Sequence, residues 1–188
     1  MSNRRVCRVR ISQLVLCATW PGKRRVETRR SVGRFYLNVR IAGMDIYVLI
    51  GKQHAGKSSL TRCLSGCRVN GKRLIAIGSR DVEVYVKLSS LQEKKISAAQ
   101  FVSEVDRSCK AVLVSLRPRA RRGDADDYLR EFSRQKGWKV LHVACLGVPA
   151  STVSITLPGA SIHELETVSE TMPINRLAAE VRDRFGWT

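Results

Sequence analysis

Residues 51–58 read Gly-Lys-Gln-His-Ala-Gly-Lys-Ser, and they fill the template G-x-x-x-x-G-K-[ST] without a mismatch. The flanks restrict the fold as much as the letters do. Ile46-Tyr47-Val48-Leu49-Ile50 precedes the loop as an apolar, β-branched and aromatic run of strand length. Ser59-Leu60-Thr61-Arg62-Cys63-Leu64 follows, with Leu60 and Leu64 one helical turn apart. A strand, a glycine loop and a helix in that order predict a chain that leaves the edge of a sheet and wraps its backbone N–H groups inward around an anion. The helix that starts there adds its free N–H groups and the positive end of its dipole.

The rest of the chain supplies an alternation that suits such a loop. A hairpin is expected from Leu74–Ile77 and Val82–Leu88, separated by Gly78-Ser79-Arg80-Asp81. A helix is expected over about Ala98–Arg107, capped by Ser97, and a central strand over Ala111–Leu116, whose apolar run is broken only by Ser115. Acids at Asp124, Asp126 and Asp127 open a third helix that runs to about Gln135, and Gly137 ends it. Val140–Leu146 reads as another strand, 147–163 as mixed loop, and Ile174–Phe185 as a last helix between Pro173 and Gly186. The fold class expected is α/β, three-layered, with a mostly parallel central sheet and one antiparallel edge strand. The loop then lies at the carboxyl edge of a strand, where open sheets of this kind bind ligands.

On these residues the chain resembles the P-loop (Walker A) nucleoside triphosphatase superfamily, strongly over about 45–65 and weakly over the α/β pattern beyond; the hairpin after the first helix faintly resembles its GTPase branch. The resemblance implies a nucleoside triphosphate, ATP with Mg²⁺, held by Gly51, Lys52, Gln53, His54, Ala55, Gly56, Lys57, Ser58 and Ser59. Lys57 would reach the β- and γ-phosphates and the Ser58 hydroxyl would hold the metal. A hydrolase of this kind usually carries a further acid at the end of an apolar strand. Here the candidate strands run into Ser89-Ser90, Ser115-Leu116-Arg117 and Gly147. Glu93, a few residues past the third strand, is the nearest candidate, and the acids 124–127 are better explained as helix caps. The guanine-reading N-K-x-D is also missing, since Gly147-Val148-Pro149-Ala150-Ser151 follows the fifth strand, so adenine is expected by elimination, with Val148 and Pro149 against the base.

Arg117, Arg119, Arg121 and Arg122 follow the fourth strand, and Arg117 and Arg119 are candidates to close over phosphates or grip an acceptor. His54 is expected to face solvent, His142 to be a core histidine, and His163 to lie in a loop. Three functions stay open: an ATP-binding protein with weak or partner-dependent hydrolysis, a small nucleotide-kinase-like phosphotransferase, and a basic nucleic-acid binder whose loop is not catalytic.

Charge bears on the last of these. The chain has 34 Lys and Arg against 16 acids, a net +18. Residues 1–43 hold eleven of those bases and one acid, Glu27, so they carry +10. This segment is read as an extension distinct from a nucleotide-binding domain at 44–188. It serves as a nucleic-acid arm, as a targeting segment, or as upstream sequence from a misassigned start before Met44, and Phe35–Ile41 is a candidate strand within it. No run approaches the ~20 apolar residues that span a membrane, so a membrane partner is not expected. The six cysteines are scattered; Cys63 and Cys67 are four apart but lack the second pair of a zinc pattern, and reduced thiols in a cytoplasmic protein are expected.

Overall fold

The computed structural model describes residues 43–121 and 123–188. The basic extension, the strand expected at Phe35–Ile41 and Arg122 lie outside the described residues. Among the described residues are six strands and four α-helices, in the order β1 (Met44–Gly51), α1 (Lys57–Ser65), β2 (Gly71–Ile77), β3 (Arg80–Val86), α2 (Ala98–Glu104), β4 (Ala111–Leu116), α3 (Ala125–Arg134), β5 (Trp138–Leu146), β6 (Ser161–Leu165) and α4 (Ile174–Phe185). The strands form one sheet in the order β2-β3-β4-β1-β5-β6. All neighbours run parallel except β2 and β3, which are antiparallel, so the expected antiparallel strand is β2 at one edge. Among the described residues no helix is long and apolar enough to cross a membrane.

The central strands are the most apolar because both of their faces are covered. Successive β1 side chains point to opposite faces. Ile46, Val48 and Ile50 join one core cluster with Phe101 of α2 and Tyr128, Leu129 and Phe132 of α3. Tyr47 and Leu49 join the other, with Leu60 and Leu64 of α1 and Leu177, Ala178, Val181 and Phe185 of α4. The described residues therefore form a sheet between two helical layers. In β4 all six residues are buried, and its polar member, Ser115, places its hydroxyl 3.3 Å from that of Thr61 on α1.

Several elements differ from expectation: β2 starts at Gly71 rather than Leu74, β3 ends at Val86 rather than Leu88, and β5 starts at Trp138 rather than Val140. The hairpin turn is only Gly78-Ser79, with Gly78 left-handed at φ 59°, and Arg80 and Asp81 already pair with Ile77 and Ala76. Helix α2 stops at Glu104 because Val105 turns extended while its side chain stays buried. Residues 161–165 form β6 rather than loop, which puts His163 on a strand. As an edge strand, β6 buries only Leu165.

One polar cluster ties β3 to α2. Lys87 is almost fully buried, and its ammonium donates to Glu104 Oε1 at 2.5 Å; the Tyr85 hydroxyl donates to the same oxygen at 3.0 Å. Partial burial pushes the Glu104 carboxyl up, but the bonds from Lys87 and Tyr85 and the Lys87 charge outweigh it and hold the group below its ordinary 4.5. A depressed carboxylate stabilises the fold above the unfolded value and loses that contribution as pH falls through the folded one. Glu104→Gln is expected to lower the urea midpoint at neutral pH, because Lys87 is left buried without a countercharge. It should also flatten the loss of stability below pH 4.5 relative to the unchanged protein. Urea titrations at neutral and acid pH check both effects.

Candidate functional site

Strand β1 delivers the chain to the middle of the sheet's carboxyl edge and ends at Gly51. A Cβ there would come within 3.1 Å of the Ala55 Cβ and 3.2 Å of the Leu146 carbonyl oxygen, so the loop turns back closely over its own strand. His54 and Gly56 both take left-handed backbone, at φ 63° and φ 80°. Gly56 is the N-cap of α1 and no side chain caps this helix. The Ser97 hydroxyl accepts from Gln100 N at α2, and Asp127 accepts from the N-cap N–H of Asp124 at α3, whereas α4, like α1, has no side-chain cap. The first N–H groups of α1 are thus left open at the one helix start that sits on the glycine loop.

Lys57 is 6 % exposed, and its ammonium donates to the carbonyl oxygens of Gly51 (2.7 Å) and Lys52 (2.6 Å). Burial lowers its pKa, the nearby Glu93 charge opposes that, and Arg117 adds to it. Thr61, one turn on, donates to the Lys57 carbonyl.

Glu93 and Arg117 face this loop from across a cavity of about 460 Å³, which Gln53 through Ser59 line on the other side. They are ion-paired: Glu93 Oε1 accepts from Arg117 Nη2 at 2.5 Å and from Nε at 3.1 Å. The pair is placed by Gln92, a buried residue whose side-chain amide donates to the Arg117 carbonyl and accepts from the Arg117 N–H, each at 3.1 Å. Nothing in the sequence pattern marked Gln92; its reciprocal bonding to a backbone 25 residues away depends on β3 and β4 being neighbours. Val168 was also missed. It lies against Gly56, where a Cβ would meet its Cγ2 at 2.6 Å.

A second cavity of about 620 Å³ adjoins the first, with Gln53 and Arg117 lining both. Lys52, Arg119, Val148 and Pro149 line it as well. The 147–154 loop is braced from two sides: Ala150 N donates to Glu164, and Ser154 donates through its N–H and hydroxyl to Asp126.

Of the sequence-derived site residues, Gln53–Ser59, Glu93 and Arg117 share one cavity, while Lys52 and Arg119 line the adjoining one. Gly51 lines neither cavity; its carbonyl accepts from the Lys57 ammonium. A triphosphate fits the uncapped amides and Lys57, and a hard cation such as Mg²⁺ fits the oxygen donors Ser58 and Glu93. Among the described residues no group of three or more His, Cys, Asp or Glu could hold a metal by itself, so phosphate oxygens or water would complete such a shell. His54 is exposed on the loop. His142 lies on β5, stacked on Tyr47 and on His163, with its Nδ1 3.2 Å from His163 Nε2. Burial and then His163 lower the His142 pKa, and burial and then Arg184 lower that of His163. This pair sits on the α4 face with Phe185, among structural aromatics.

The chain matches no protein-family model, and neither a curated protein nor a solved structure is significantly similar to it.

Gly56→Ala is expected to be destabilising twice over, through a left-handed backbone costing about 1 kcal/mol and through the Val168 clash. Val168→Ala in the same chain should recover the steric part and not the backbone part, so thermal melts of the two variants should rank Gly56→Ala below the double variant and the double variant below the unchanged protein.

Proposed function

We propose that this chain is an ATP-binding protein of the P-loop type with weak or partner-dependent hydrolysis. The observation that carries the reading is the uncapped, glycine-turned start of α1, opening with buried Lys57 onto a cavity. The open N–H groups of the loop take the phosphate oxygens. Lys57 exchanges the carbonyls of Gly51 and Lys52 for those oxygens, trading two neutral acceptors for charged ones. The Ser58 hydroxyl holds the metal, which neutralises phosphate charge when bound.

Weak turnover follows from what stands where an acid is needed. The end of β4 offers Ser115, fully buried and engaged with Thr61. The nearest carboxylate, Glu93, lies in the loop past β3 rather than at a strand end, and at rest it is paired with Arg117. A partner that contributes an acid of its own would raise the rate; the basic extension suits a polyanionic partner such as nucleic acid. The missing N-K-x-D leaves guanine without its reader, and Val148 and Pro149 in the adjoining cavity suit a base of either purine type.

A phosphotransferase is the second reading. It is favoured by the cations Lys52, Arg117 and Arg119 around the larger cavity, which suit an acceptor phosphate and outnumber the two carboxylates there, Asp124 and Asp126. ADP release that depends on an added acceptor would select it over the first reading.

Calorimetric titration of Mg·ATP tests the common premise. Micromolar binding is expected, weakened about tenfold or more by Lys57→Ala, the size of one lost charge-assisted contact. A folded protein that does not bind Mg·ATP would refute both readings.

A further inference from the structure

The ion pair over the loop has a consequence beyond its place in the cavity. Arg117 and Glu93 are held by different means. The Arg117 backbone is clamped on both its N–H and its carbonyl by buried Gln92, at the end of the fully buried strand β4. Glu93 follows in the loop after β3, and the Ser90 hydroxyl accepts from its backbone N–H. Both side chains keep some contact with solvent, Arg117 at 24 % and Glu93 at 34 % exposure, so neither is locked in place by packing. Between them and the loop lies the cavity into which Ser58, Ser59 and the amide groups open.

The cavity therefore holds three charges at rest: Lys57 and Arg117 positive, Glu93 negative. Both cations have provisional acceptors supplied by the protein, the loop carbonyls for Lys57 and the Glu93 carboxylate for Arg117. A planar guanidinium already presenting Nε and Nη2 to one carboxylate oxygen has the fork geometry that grips a phosphate. A polyphosphate entering the cavity is a stronger acceptor than one carboxylate, and it also repels that carboxylate.

We infer that Glu93 is a built-in competitor for Arg117: a polyphosphate ligand displaces Glu93 from the guanidinium and takes its place, which frees the carboxylate beside the bound anion. This rests on the phosphate-loop reading above and goes further, since it makes Arg117 a ligand-binding residue and Glu93 a brake on binding of the metal-free anion. The freed carboxylate is an oxygen donor that faces the loop across the same cavity, so a divalent cation between it and the phosphates relieves the brake. The protein thereby prefers the metal complex of its ligand over the bare anion.

The test is calorimetric titration of inorganic triphosphate, in chelator and then in Mg²⁺, into the full chain and the variants Glu93→Gln, Arg117→Ala, the double variant and Lys57→Ala. Glu93→Gln is nearly isosteric, and circular dichroism confirms that each variant is folded. In chelator, Glu93→Gln is expected to bind about fivefold tighter, the size of a partly exposed ion pair, and Arg117→Ala to bind more weakly. The gain from Glu93→Gln should shrink when Arg117 is already alanine, since no partner is then left to release. The enhancement by Mg²⁺ should shrink in Glu93→Gln. An unchanged or weaker affinity in Glu93→Gln would overturn the inference, as would a gain of equal size in the Arg117→Ala background, the mark of simple repulsion without exchange. Undiminished binding by Lys57→Ala would instead overturn the phosphate-loop reading itself, and this inference with it.

Discussion

The open helix start at the carboxyl edge of the sheet depends on the left-handed backbone of Gly56. That conformation ends the loop and begins α1 in a single residue, and it leaves no position from which a side chain caps the helix. A β-carbon is excluded there twice, by the dihedral and by Val168. The chain reaches this point in a fixed direction because β1 is paired on both sides, with β4 and β5, and is buried over nearly all its length. A rigid central strand, an abrupt turn and an uncapped helix start together hold backbone donors open at one place. Those donors are unfavourable to leave unpaired in a folded protein unless solvent or a ligand meets them.

The charges at that place are arranged as a set of temporary partners. Lys57 leans on loop carbonyls and Arg117 on Glu93. A buried ammonium without acceptors would be costly, so the loop satisfies it in the resting state. An anion that bound here would have to displace the same bonds, so part of its affinity would go to undoing contacts already made. Gln92 limits the arrangement to one side: it fixes the Arg117 backbone at the end of β4 and leaves the two charged side chains to rearrange.

Much of this was legible in the sequence, and the parts that were not have physical reasons. β1, β4 and α4 were read closely because their signals are strong: unbroken apolar runs for strands covered on both faces, and a one-sided stripe between Pro173 and Gly186 for the helix. β6 was read as loop because an edge strand buries little, and Ser161-Ile162-His163-Glu164-Leu165 carries only two aliphatic residues. The end of α2 was overrun because Val105 is buried and apolar yet lies past the helix, so the stripe continued where the hydrogen bonding did not. At the site, the loop could be read from its letters because its chemistry is local. Glu93 and Arg117 were each singled out, but their pairing across 24 positions follows from β4 lying beside β3, which no short pattern encodes.

An anion site at this loop would draw on the backbone amides from Gln53 to Ser58. An amide-resolved ¹⁵N NMR titration with inorganic triphosphate reads those groups one by one. Saturable shifts concentrated at Gly56, Lys57 and Ser58, with a smaller response at Arg117, are expected. Shifts absent from the loop, or confined to basic residues far from it, would rule out an anion site there.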